Sequence, residues 1–191
     1  MTDFIVKILE WVRSYWNAPE LQIVRFEPKR DLATYMVVPG NRTQMVFTVQ
    51  VANTGKHVAE RCVGILDVKL RSAPYTEGHY VLHWADTPYQ LQTSGVDPVD
   101  IGPEGRRLDV LFTFDGQPMA GCWAASSSAL SVPQISPREH LGPGDYDCTV
   151  TVHAPNAGKV TAAFTVTSAT TWRELRVAPV AREDRASNER R

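Results

Sequence analysis

The sequence predicts an all-β protein, an antiparallel β-sandwich of seven to nine strands preceded by one amphipathic helix. Three observations carry this. From residue 20 onward apolar residues recur at period two, turn signals interrupt them every ten or so residues, and only residues 3–17 keep a helical period. A chain of 191 residues, 43% of them hydrophobic, suits one sizeable core, and its 13 Pro and 12 Gly favour many short elements over a few long helices. Three regions follow: a helix at 3–17, a sandwich at 20–178 and a charged tail at 179–191.

The helix reads DFIVKILEWVRSYWN, with Asp3 as its cap and Ala18-Pro19 as its stop, because the residue before a proline avoids helical angles. At 100° per residue Phe4, Ile5, Ile8, Leu9, Trp11, Val12, Tyr15 and Trp16 share one side. Lys7, Glu10, Arg13, Ser14 and Asn17 share the other, and Val6 alone is misplaced. Fully buried, eight such side chains represent on the order of 10 kcal/mol, so this face demands a cover. The candidate covers are the chain's own sandwich, a partner or second copy, and a membrane interface. Lys7 and Arg13 are offset by Asp3 and Glu10, so the cationic polar face that favours anionic lipid is missing.

Strand signals begin irregularly with Leu21, Ile23 and Phe26. They then alternate through QMVFTVQVANTG, with Met45, Phe47, Val49 and Val51 on one face and Val46, Thr48 and Gln50 on the other, as expected of a half-buried strand. After the Asn53-Thr54-Gly55 turn, RCVGILDVKLR puts Cys62, Gly64, Leu66, Val68 and Leu70 on one face. HYVLHWAD is read as a further strand, and RRLDVLFTFD as one facing inward through Leu108, Val110, Phe112 and Phe114 before the Asp115-Gly116 turn. DYDCTVTVH and KVTAAFTVT form a hairpin around APNAG, and WRELRV adds a strand or a short helical turn. The last eleven residues carry seven charges and no large apolar side chain, which predicts disorder.

LGPGDYDC, residues 141–148, sharpens the fold class to an immunoglobulin-like sandwich. In such sandwiches a tyrosine two residues before a core position hydrogen-bonds back to the preceding corner. Tyr146 takes that role here, and Cys148 is the first inward residue after it. Together with VANTG at 51–55, this turn resembles the immunoglobulin-like modules of the CARDB and E-set type found in bacteria and archaea. The resemblance spans residues 20–168 and rests on two turns that maintain the fold. The central stretch 72–105 and the N-terminal helix depart from such modules, and individual function is expected there.

Twenty Lys+Arg against 21 Asp+Glu give a net charge of -1, so the field that recruits nucleic acid is absent. Cys62, Cys122 and Cys148 fit neither a disulfide framework nor a zinc pair, and free buried thiols are expected. Cys62 follows the Asn-x-Gly turn, which places it on the third strand, beside the penultimate one in the same sheet; a bridge to Cys148 is not expected. The chain shows no secretory signal and no spanning segment, so a cytoplasmic location is expected, with membrane association through the helix as the alternative.

No catalytic, cofactor or metal constellation emerges. His79 and His83 lie four apart, which on a strand separates them by about 13 Å. Asp97, Asp100 and Glu104 match no calcium loop, and Ser126, Ser127 and Ser128 lack a nucleophile elbow. Trp84 and Trp123 are candidate platforms for sugar rings, weighed against a place in the core. Two functions from different classes therefore stand. The first is a non-enzymatic interaction or scaffold module that binds a protein partner or self-associates, with Phe4, Ile8, Trp11, Val12, Tyr15 and Trp16 as its surface. The second is a small-ligand or carbohydrate-binding sandwich built on Trp84 and Trp123.

Overall fold

Period-two alternation becomes two antiparallel sheets, with eleven strands among the described residues. The computed structural model describes residues 6–7, 18–29, 42–73, 77–85, 87, 98–115, 122–126 and 137–180. The strands are β1 (Leu21–Lys29), β2 (Arg42–Asn53), β3 (Ala59–Leu70), β4 (Glu77–Val81), β5 (Val99–Ile101), β6 (Arg106–Asp115), β7 (Cys122–Ala124), β8 (His140–Leu141), β9 (Gly144–Ala154), β10 (Gly158–Ser168) and β11 (Arg176–Pro179). The excess over nine comes from pieces of two or three residues, β5, β7 and β8. Strand β11 follows a 3-10 turn at Trp172–Glu174 and carries the sheet one residue past the expected end of the sandwich at 178. The tail from 181 onward and all of the helix except Val6 and Lys7 lie outside the described residues.

The first sheet has the order β1-β2-β6-β7-β8 and the second β11-β10-β9-β3-β4, with β5 also on β3. Their inner faces build one core. Leu66, Val68, Cys148, Val150, Val152 and Phe164 from the second sheet meet Val49, Val51, Leu108, Leu111 and Ala124 from the first. Phe26 and Phe164 touch across the gap with ring centroids 5.1 Å apart. In β3 the alternation is as read: Cys62, Gly64, Leu66 and Val68 are buried, while Asp67 and Lys69 are exposed. The β9–β10 hairpin turns at 155–157 and closes on Gly158, whose φ of 72° lies in the left-handed region that glycine tolerates.

Two turns anchor the scaffold. Tyr146 donates from its hydroxyl to the Gly142 carbonyl at 2.9 Å, closing the corner ahead of β9. Asn53, 4% exposed, uses both ends of its amide. Its Oδ1 accepts from the Glu20 and Gly55 N–H groups at 3.1 Å each, and its Nδ2 donates to the His57 and Ile101 carbonyls at 2.7 and 2.9 Å. One side chain thus ties the start of β1, the β2–β3 turn and β5.

Two of the register shifts change which residues face the core. A register shift between Ile23 and Arg25 explains why Leu21 and Ile23 face the core at odd positions and Phe26 at an even one. A second shift, where β2 passes from Phe47 to Thr48 while β6 passes from Leu111 to Asp109, adds Val110 to β6. Leu108, Val110 and Leu111 then all join the core. Phe112, expected inward, pairs instead with Val46 and Trp123 in a row that continues to His140 across the outer face of the first sheet. The expectation of a half-buried β2 is corrected as well. Val46, Phe112 and Trp123 are only 0, 2 and 4% exposed, and every residue from Leu108 to Thr113 is buried, so this part of the sheet is covered on both faces.

Candidate functional site

The HYVLHWAD run does not continue as one strand in one sheet. Strand β4 pairs with β3 only as far as Val81, and the chain then crosses to the first sheet, bridging Leu82 to Ser126 and Trp84 to Leu108. Residues 82–85 wedge between β6 and the segment leaving β7. The His83 N–H donates to the Ala125 carbonyl at 3.1 Å, and the His83 carbonyl accepts from the Asp109 N–H at 2.9 Å. The crossover places a second outer row beside the apolar one: Thr48, Asp109, His83 and Ala125, at 3, 0, 0 and 1% exposure.

Within that row the His83 imidazole lies between two oxygens. Its Nδ1 is 3.4 Å from Asp109 Oδ2 and its Nε2 is 3.1 Å from the Thr87 carbonyl. On the other side of the crossover, Ser126 donates from Oγ to Glu139 Oε1, and both residues are buried. Glu139 sits in a 3-10 turn, Pro137–Glu139, which Tyr80 pins by donating from its hydroxyl to the Arg138 carbonyl at 2.8 Å. Burial, followed by the Glu139 charge, raises the Tyr80 phenol above its ordinary value. Trp123 packs against the His140 ring at 4.6 Å between centroids, the planes tilted by 49°. The crossover thus brings together the buried polar side chains of His83, Asp109, Ser126 and Glu139. Asp109, Glu139, His140 and Thr48 were not singled out from sequence; the available signal was a lone ionisable residue between large apolar neighbours, as in Leu82-His83-Trp84 and Leu108-Asp109-Val110.

The residues singled out from sequence are dispersed. His79 is exposed and pairs with Asp67 at 2.6 Å, away from His83. Asp100 accepts from the Arg61 N–H at 2.8 Å, where Arg61 adopts φ 52° at a register shift in β3; Glu104 is exposed, and Asp97, Ser127 and Ser128 lie outside the described residues. Trp84 lies in the core between the sheets at 1% exposure, and Trp123 is buried on the outer face of the first sheet at 4%. A sugar platform needs an open ring face, which neither indole offers. Phe4, Ile8, Trp11, Val12, Tyr15 and Trp16 lie outside the described residues, while Val6 and Lys7 are helical and exposed.

The three cysteines are buried and unbridged. In the β3–β9 register Cys148 faces Val68, six residues along the strand from Cys62. Burial, with the Asp100 charge second, raises the Cys62 thiol from 9.0 to about 11. Burial raises Cys122 from 9.0 to about 12 and raises Cys148 as well, with Cys122 and Asp147 adding to the latter. These are inert thiols rather than nucleophiles. No group of three or more metal-ligating side chains occurs among the described residues, and no helix among them is long and apolar enough to cross a membrane. Compared with protein-family models, curated proteins and solved structures, the chain matches none.

Proposed function

We propose that the chain is a non-enzymatic interaction or scaffold module, an immunoglobulin-like sandwich of the CARDB and E-set kind, in which residues 3–17 form an amphipathic helix that engages a protein partner or a second copy. The sandwich reading draws support from the Tyr146 corner and from a sheet order in which β1, β2 and β6 lie opposite β10, β9, β3 and β4. The interaction reading rests on one observation above all: eight large apolar side chains fall on one side of residues 3–17, while Val6 and Lys7, on the other side, are 51% exposed and exposed respectively. Trp and Tyr on such a face are the residue types that dominate binding energy at protein interfaces. A cytoplasmic location belongs to this reading, since buried unbridged thiols suit a reducing compartment.

Trp11→Asp tests it. The expected outcome is that a complex, with itself or with a captured partner, dissociates while the sandwich melts unchanged. A lower melting temperature at unchanged monomeric mass would instead assign the apolar face to the chain's own sandwich, and loss of vesicle binding alone would assign it to a membrane.

A further inference from the structure

We propose that Gly55 is a positioning residue for the N-terminal segment: it lets the β2–β3 turn grip residues 18–20, so that residues 3–17 leave the sandwich in one fixed direction. The inference rests on the reading of residues 3–17 as an interaction helix and adds how that helix is held. A Cβ on Gly55 would lie 2.4 Å from the Ala18 carbonyl oxygen, 2.5 Å from the Glu20 nitrogen and 2.6 Å from Pro19 Cα, all of them backbone atoms that cannot swing aside. The turn itself does not ask for glycine there. Among the described residues the glycines with positive φ are Gly105, Gly144 and Gly158, so the sign of φ leaves position 55 open to other residues. What demands glycine is the close approach of residues 18–20.

Hydrogen bonds close the grip around that contact. The Glu20 N–H donates to Asn53 Oδ1 at 3.1 Å, and the Glu20 carbonyl accepts from the Thr54 N–H at 2.8 Å. Gln22 Nε2 donates to Glu20 Oε1 at 3.2 Å and to Thr54 Oγ1 at 3.4 Å. Pro19, whose ring fixes φ, is buried, and Leu21 just beyond it belongs to the core. The helix stop read at Ala18-Pro19 therefore coincides with the first gripped residue, and no free residue separates the two. A direction fixed before a partner arrives removes an ordering cost from binding, which a flexible tether of the same length would not.

The test measures a distance in the intact chain. On a helix Lys7 lies about 16 Å from Ala18, so a swing of about 30° at the joint moves it by about 8 Å. Spin labels at Lys7→Cys and Lys159→Cys, both exposed positions, report that movement, because the three native thiols are buried; an excess of unlabelled chain removes distances between copies. One narrow distance distribution is expected with Gly55 in place. Gly55→Ala should fold with a lower melting temperature and broaden the distribution by about 8 Å. A short Gly/Ser insertion between Asn17 and Ala18 leaves the grip intact and should broaden it at least as much, with the melting temperature unchanged. A broad distribution before either change overturns the proposal, and so does a narrow one that survives the insertion, which would place residues 3–17 against the chain's own sandwich. A narrow distribution in folded Gly55→Ala overturns the role of Gly55. Mass in solution reads the underlying interaction separately: a parent chain that stays monomeric and captures no partner contradicts the interaction module, while the distances still decide whether the joint is fixed.

Discussion

Leu108 of β6 occupies the space that Gly64 of β3 leaves empty: a Cβ on Gly64 would lie 2.5 Å from Leu108 Cδ2 and 2.6 Å from its Cδ1. The contact joins an interior strand of each sheet, and both residues are buried. Gly64→Ala is expected to destabilise the fold by about 1–3 kcal/mol through overpacking. Leu108→Val on that background should recover part of the loss, because the clash is with the end of the leucine. A denaturant series on the two single variants and the double variant checks this; simple additivity would show that the residues do not compete for the same space.

Asn53→Ala removes four hydrogen bonds and leaves the Ile101 carbonyl without its side-chain donor inside the structure. A cost of about 2–4 kcal/mol is expected, because unsatisfied buried groups add to the lost bonds. Asn53→Asp keeps the two bonds accepted by Oδ1 but sets a buried carboxylate oxygen against the His57 and Ile101 carbonyls, so at neutral pH it should be at least as destabilising as alanine. Equilibrium unfolding reads both.

The buried thiols set an alkaline limit. Well below pH 9 they are protonated in the folded and unfolded chain alike. Above the ordinary value of 9.0 the unfolded thiols ionise, while folded Cys62 and Cys122 hold their protons to about 11 and about 12. Stability is therefore expected to decline as pH rises from about 9 toward 12. At pH 8 the folded chain should react slowly with a thiol reagent, and all three cysteines should react once denaturant is added. Fast labelling of folded protein would contradict the burial of these thiols.

Much of the scaffold was legible because its cues are local. The alternation in β3 from Cys62 onward and in β9 survives, and the VANTG and LGPGDY turns carry the residues, Asn53 and Tyr146, whose side chains make the anchoring bonds. The face of β6 was not legible, because one extra residue at a bulge inverts every position after it, whereas in β1 the shift shows in the sequence as the irregular spacing of Leu21, Ile23 and Phe26. That is why Phe112 reads as inward and lies outward. The crossover was hidden for a different reason. His83 and Asp109 meet only after residues 82–85 leave one sheet for the other, a pairing that spans 26 positions and has no period to reveal it.

The most direct measurement of the proposed function compares the mass in solution of the full chain with that of a chain lacking residues 1–18, with a melting curve for each. An interaction module is expected to associate, with itself or with a partner, only when residues 1–18 are present, and the shortened chain should stay monomeric and melt within a few degrees of the parent. Equal monomeric masses, with a shortened chain that melts far lower or fails to fold, would contradict it and return the apolar face of residues 3–17 to the sandwich itself.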